Sequence, residues 1–193
     1  MDRSRMGKKN GFTLIELLAG ILMSAIILAG LYSVLFSQQK AFSAQEQVVE
    51  MNQNIRAALD LMTREIRLAG YKTSTSTFDG IVTATSDSIR ILADLNQDGD
   101  TGDDNEDITY TYNASAMQIW RNMISLPVAD NITNLSLQYT LNDGTVTPAP
   151  TNLADIRKVT ISITARTTHP DQGTGMYRSI TLTSDITPRN LAS

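Results

Sequence analysis

Two places in this 193-residue chain gather residue types that carry chemistry. The first is Lys8-Lys9-Asn10-Gly11-Phe12-Thr13-Leu14-Ile15-Glu16-Leu17-Leu18. Basic residues run up to a glycine, and a phenylalanine opens an apolar run that lasts to Phe36 with one charge in it, Glu16. A carboxylate in an apolar helix is costly in hydrocarbon and is retained for a partner, a proton or a function. The second place is Asp94-Leu95-Asn96-Gln97-Asp98-Gly99-Asp100. Oxygen-bearing side chains at alternate positions of a tight turn converge on one ion, and a glycine at the sixth position permits the turn. That is the first half of a calcium loop.

Each place needs an element to position it. Phe12 to Phe36 is 25 residues, and about 20 apolar residues at about 1.5 Å each cross a bilayer core. The run is long enough to span, and longer than the apolar stretch of a secretory signal. The plain reading is a membrane anchor whose Glu16 reaches the headgroups. Asp94, Asn96, Asp98, Asp100 and Glu106 are the candidate Ca2+ ligands, with Asp103 and Asp104 also within reach in sequence. Two features depart from the calcium pattern: the twelfth position is Asn105, with Glu106 one residue late, and strand-like sequence flanks the loop. The other reading of 94–107 is a solvated acidic hairpin loop, since its seven carboxylates repel one another unless hydrated or neutralised.

Gly11-Phe12-Thr13-Leu14-Ile15-Glu16 resembles the prepilin processing motif of type IV pilins and type II secretion pseudopilins. The shared features are a cleavage-site glycine, a phenylalanine after it and a glutamate as the fifth residue of the mature chain, all ahead of a spanning run. The resemblance implies that a membrane-embedded prepilin peptidase cuts between Gly11 and Phe12 and N-methylates Phe12. It also implies that Glu16 pairs with the Phe12 amine of a neighbouring subunit. A buried carboxylate beside a buried ammonium favours both charged forms. Many pilins carry a proline further along this helix; Ser33 stands near that place here, so their kink is not carried over. A narrower likeness covers Arg56-Ala57-Ala58-Leu59 through Thr63-Arg64-Glu65-Ile66-Arg67-Leu68-Ala69-Gly70-Tyr71, which is similar to the end of the helix in PilW-family minor pilins; Pro188-Arg189-Asn190-Leu191 also resembles PilW-like chains. The secretion pseudopilin GspJ group resembles this region less closely.

Charge is distributed to match. The chain carries −4 overall, and residues 1–11 hold Arg3, Arg5, Lys8 and Lys9 against Asp2, a balance of +3 that leaves −7 from Phe12 onward. A basic segment before a span keeps that end in the cytoplasm. The expectation is a single-pass protein of the bacterial inner membrane whose C-terminal bulk is exported. An acidic exported part argues against nucleic acid as a partner. The chain has no cysteine, so an exported core must hold by burial alone.

Beyond the span, Val48, Met51, Ile55, Leu59, Met62 and Ile66 recur at helical spacing. The pattern predicts one helix over about 13–69, closed by Gly70 as its C′ residue. Its methionines are core fillers rather than ligands. After a Ser/Thr-rich stretch the period becomes two: Ile89/Ile91, Ile108/Tyr110/Tyr112, Leu135/Leu137/Tyr139/Leu141, Val159/Ile161/Ile163/Ala165 and Ile180/Leu182. Such alternation predicts half-buried antiparallel strands. Asn113-Ala114-Ser115 turns one hairpin, and Asn142-Asp143-Gly144 opens a longer loop with Pro148 and Pro150. The fold class is α+β and pilin-like, a long helix packed on an antiparallel sheet. Its divisions are a leader (1–11), a spanning half (12–36), an amphipathic half (37–70) and a β-domain (71–193).

No nucleophile elbow, phosphate loop or thiol is present. The single histidine, His169, precedes Pro170 in a loop and is read as solvent-exposed. The chain reads as a structural subunit and not an enzyme. The leading expectation is a PilW-like minor pilin that primes assembly or sits near the pilus tip. It would contact other pilins through its helix, the prepilin peptidase, and inner-membrane lipid before assembly. The alternatives are a GspJ-like type II secretion pseudopilin, or a membrane-anchored calcium-dependent adhesin that never polymerises.

Overall fold

The computed structural model describes residues 11–73, 76–122 and 127–191. The basic leader expected over 1–11 lies outside them, apart from Gly11. The chain divides into two compact units, Met1–Ala44 and Gln45–Ser193.

The first unit is helical. Helix α1, Leu14–Leu68, begins in it and meets no proline, since the first proline of the chain is Pro127. Every large apolar side chain from Phe12 to Phe36 is at least half exposed, which is how a helix apolar on all sides looks with no neighbour around it. Among the described residues, α1 is the one helix long and apolar enough to cross a membrane, judged by length and composition.

In the second unit α1 becomes amphipathic. Met51, Ile55, Ala58, Met62, Ile66 and Ala69 are buried, at spacings of three and four. Val48 and Leu59, expected in the stripe, are only partly buried; the smaller Ala58 and Ala69 take the tightest places. Each large apolar side chain so buried contributes about 1.5–3 kcal/mol. The helix stops at Gly70, whose φ of +77° suits a residue without Cβ. Its N–H leaves the helix and donates to Leu92 O at 2.9 Å.

Among the described residues the β segments form two antiparallel sheets of four strands, where the sequence pattern suggested one. The first is β1 (Ile81–Ala84), β2 (Ser88–Leu92), β3 (Asp107–Asn113) and β4 (Gln118–Arg121), paired in that order. The second runs β6 (Val146–Thr147), β5 (Ile132–Leu141), β7 (Ile156–Arg166) and β8 (Ser179–Ile186). The expected alternation holds: Ile89 faces Tyr110, Ile91 faces Ile108, Leu137 faces Ile161 and Tyr139 faces Val159. Those side chains join the helix stripe in one core. The opposite face of β7 and β8 is a hydroxyl ladder, Ser162 to Thr183 at 2.9 Å and Thr164 to Thr181 at 2.8 Å. Tyr139 OH donates to Thr85 O and Leu137 N–H to Ser86 O, so β5 is tied to the β1–β2 turn of the other sheet. The expected loop after Asn142 is a tighter turn than predicted, because Val146 and Thr147 return to pair with Thr140 and Tyr139.

A seam closes the end of the helix. Gly70 and Gly80 lie backbone to backbone against Leu191, and Arg189 N–H donates to Arg67 O at 3.3 Å. Residues from late in the chain are thereby docked where α1 meets β1.

Candidate functional site

The N-terminal group is built on the first turn of α1. Thr13 stands at the N-cap, where helix N–H groups lack intrahelical partners. Its N–H donates to Glu16 Oε2 at 2.9 Å and its hydroxyl to the same oxygen at 2.8 Å, while Glu16 N–H reaches back to Thr13 Oγ1 at 3.4 Å. This reciprocal pair is a capping box. Its signal in the sequence is the Thr-x-x-Glu spacing ahead of an apolar run. Gly11 and Phe12 lie just ahead, both exposed, with open space around Gly11. Glu16 therefore has its local donors on one oxygen, Oε2.

The acidic loop is held at both ends by the sheet. Ala93 N–H donates to Glu106 O at 2.9 Å, and Asp94 N–H to Tyr71 O at 2.7 Å. Asp94 is fully buried and Glu106 is 2% exposed. Asp94 Oδ2 accepts from Gly99 N–H and Ser76 Oγ, both at 3.2 Å. Glu106 Oε1 accepts from Leu95 N–H at 2.7 Å and Asn96 N–H at 3.2 Å. Their second oxygens, Asp94 Oδ1 and Glu106 Oε2, are buried and have no hydrogen-bond partner. Such an atom costs about 1–3 kcal/mol, and more when charged.

The other predicted ligands are arranged less evenly. The Asn96 amide nitrogen donates to Asp98 Oδ2 at 3.0 Å and to Asp103 Oδ2 at 2.6 Å. Asp100 instead turns its Oδ1 to Gly102 N–H at 2.8 Å. Asp104 is exposed and lines a shallow groove with Arg90 and Asn122. The Asp100 N–H and then the Asn96 amide hold the Asp98 carboxyl below its usual range. The Asp103 carboxyl is pushed up, first by the charge of Asp98, then by burial, Glu106 and Asp100. Among the described residues, no three carboxylate, thiol or imidazole groups are drawn together as a ready metal cage.

A third cluster escaped sequence reasoning. Glu65, on α1, accepts from Tyr110 OH of β3 and from Arg121 Nε of β4 at 3.1 Å, and its Oε1 lies 3.0 Å from Arg121 Nη2. Both charged side chains are 17% exposed. Burial, and next the bond to Glu65, pushes the Tyr110 phenol far up. Nothing in the spacing along the chain pairs residue 65 with residue 121. His169 is exposed, as expected.

Comparison with known proteins adds what geometry does not carry. Residues 6–32 match the prokaryotic N-terminal methylation motif. Residues 44–185, most of the second unit, match the family described as prepilin peptidase-dependent protein B. The chain belongs to that family. No curated protein matches it. Membership in the prepilin peptidase-dependent protein B family makes the chain a type IV pilin-like protein processed by prepilin peptidase. Together the apolar helix and the motif mean membrane anchoring before assembly. Pilin-like proteins of this kind are structural.

Proposed function

We propose that this protein is a PilW-like minor pilin that acts at the start of filament assembly or at the filament tip. The observation that carries the reading is the uncovered apolar half of α1, with Glu16 at its head and Gly11-Phe12 just before it. In the membrane, lipid covers that surface. In the filament, neighbouring helices do. Apolar contact alone selects no register, because lipid tails are as apolar as the helix; an ion pair from Glu16 to a neighbour's Phe12 amine selects one. The capping box suits both stages. Before assembly, Thr13 satisfies Oε2 of Glu16, which eases the cost of a carboxylate at the membrane edge. Oε1 remains for an incoming ammonium.

The reading is tested on sheared fibres and on the membrane fraction. Mass spectrometry is expected to find a chain that begins at N-methylated Phe12, and Gly11→Val is expected to block cleavage. Glu16→Ala and Glu16→Gln are both expected to be cleaved normally and to lower incorporation about tenfold or more, the equivalent of about 1.4 kcal/mol of lost pairing. Glutamine keeps an oxygen for the Thr13 cap and removes only the charge. Normal incorporation of Glu16→Gln would show that the carboxylate serves the helix cap alone. An intact Met1 end on the mature protein would leave a membrane-anchored adhesin in place of a pilin.

A further inference from the structure

We propose that the 94–106 loop binds one hard divalent cation of the calcium class between the Asp94 and Glu106 carboxylates, with Asn96 and Asp98 supplying further oxygens. This is independent of the pilin reading, since it rests on a different part of the chain. The acidic residues alone would not carry it, because a run of carboxylates is usually a solvated surface. What carries it is that two of them are not solvated. Asp94 and Glu106 are almost wholly buried, and each leaves one oxygen without a donor.

The two buried heads belong to one turn. Asp94 is fastened by the Gly99 N–H, and Glu106 by the N–H groups of Leu95 and Asn96, the two residues that follow Asp94. In each carboxylate the fastened oxygen is the one facing backbone donors, so the other is left for a different partner. Among the described residues no arginine or lysine pairs with either carboxylate: the ion pairs of Arg64, Arg90, Arg121, Lys158 and Arg178 all go to other acids. A small cation with six to eight oxygen ligands is the partner that fits.

The rest of the loop can complete an oxygen shell by small changes. The Asn96 amide nitrogen stands between the Asp98 and Asp103 oxygens, a donor placed where carboxylates converge. Its oxygen accepts from the Asp98 N–H at 2.9 Å, so a cation that takes the amide oxygen replaces that bond as well as the two from the nitrogen. Gln97 and Gly99 both have positive φ, 65° and 101°, which coils the chain tightly enough for alternate side chains to meet. Position seven of a calcium loop works through its main-chain carbonyl, so Asp100 can keep its side chain on Gly102. With only two buried carboxylates, the shell draws on amide and carbonyl oxygens, which calcium accepts and magnesium, with its stricter octahedron, accepts poorly. The site is also joined to the end of the helix. Asp94 N–H is bonded to Tyr71 O, Gln97 Nε2 to Tyr71 OH, and Ser76 Oγ to Asp94. Cation binding there locks the segment after α1 onto β2.

The test is a set of thermal melts of the full chain in detergent micelles, in calcium chloride and in chelator, with calorimetric titration of calcium into the chelator-treated protein. At calcium about a hundredfold above Kd, Tm is expected to rise by about 5–10 °C. Asp94→Asn and Glu106→Gln keep the fastened oxygen and remove the charge. Both are expected to lose the calcium shift yet to melt at or above wild type in chelator, where a buried, unpartnered carboxylate is a liability. Wild type and variant curves therefore cross between the two conditions. A purely structural role for these carboxylates predicts the same loss in both, and that result would overturn the proposal. So would a wild-type Tm that is identical in millimolar calcium and in chelator. Should one variant fail to fold, the other and the wild-type titration still decide.

Discussion

Gly80→Ala is expected to cost about 3–5 kcal/mol and to lower Tm by about 10 °C or more, since an added Cβ there meets the closest contacts of any described glycine. A Cβ on Gly80 would stand 2.3 Å from Gly70 N and 2.5 Å from Gly70 Cα, with Leu191 Cδ2 at 2.6 Å. Two of those atoms are backbone, and they cannot move alone. Gly70 N–H is bonded to Leu92 O, and Gly80 O accepts from Leu92 N–H at 3.0 Å. Displacing Gly70 therefore breaks the join between helix and sheet. Gly144 is the control. Its φ is +85°, and nothing lies within 4 Å of an added Cβ. Gly144→Ala carries only the backbone strain of a left-handed residue, about 1 kcal/mol. Thermal melts of both variants check the pair of expectations. Equal losses would mean that the Gly70–Gly80 approach is not a constraint.

The second large effect is expected at Glu65. Glu65→Ala removes the acceptor of Tyr110 OH and the counter-ion of Arg121, both in a part-buried place. Leaving a guanidinium there without its carboxylate costs about 3–5 kcal/mol, because the desolvation remains when the attraction has gone. Replacing all three polar members by apolar ones of similar size, Glu65→Leu with Tyr110→Phe and Arg121→Met, is expected to restore most of that loss. Denaturant unfolding gives both numbers. If the single variant loses under 1 kcal/mol, water reaches the cluster and it is an ordinary surface pair. If the triple variant is no better than the single, the cluster fixes the position of the helix on β3 and β4 and does more than satisfy its own charges.

These two sites show where sequence reading stops. Spacings of three and four from Val48 to Ile66 were enough to find the helix and its inner face, and Gly70 was enough to end it. Period-two alternation found β2, β3, β5, β7 and β8, since each face of a strand is set locally. Which strands are neighbours is not local, so one expected sheet became two. The close approach at Gly80 has no local signal either. A glycine in a Ser/Thr-rich stretch looks like any loop glycine until Gly70 and Leu191 arrive beside it. Glu65 sits between two stripe positions, and its partners come from β3 and β4. At the acidic loop, spacing picked out Asp94 and Asn96, and burial separated Asp94 and Glu106 from their hydrated neighbours. The Asp100 side chain, chosen on spacing alone, is turned to its own backbone.

The docking of residues 189–191 beside Gly70 has a consequence for the order of folding. The end of α1 and the start of β1 are covered by residues far later in sequence, and a contact that closes so long a loop forms after the local hairpins have done so. The seam is therefore expected to be among the last parts of the β-domain to set.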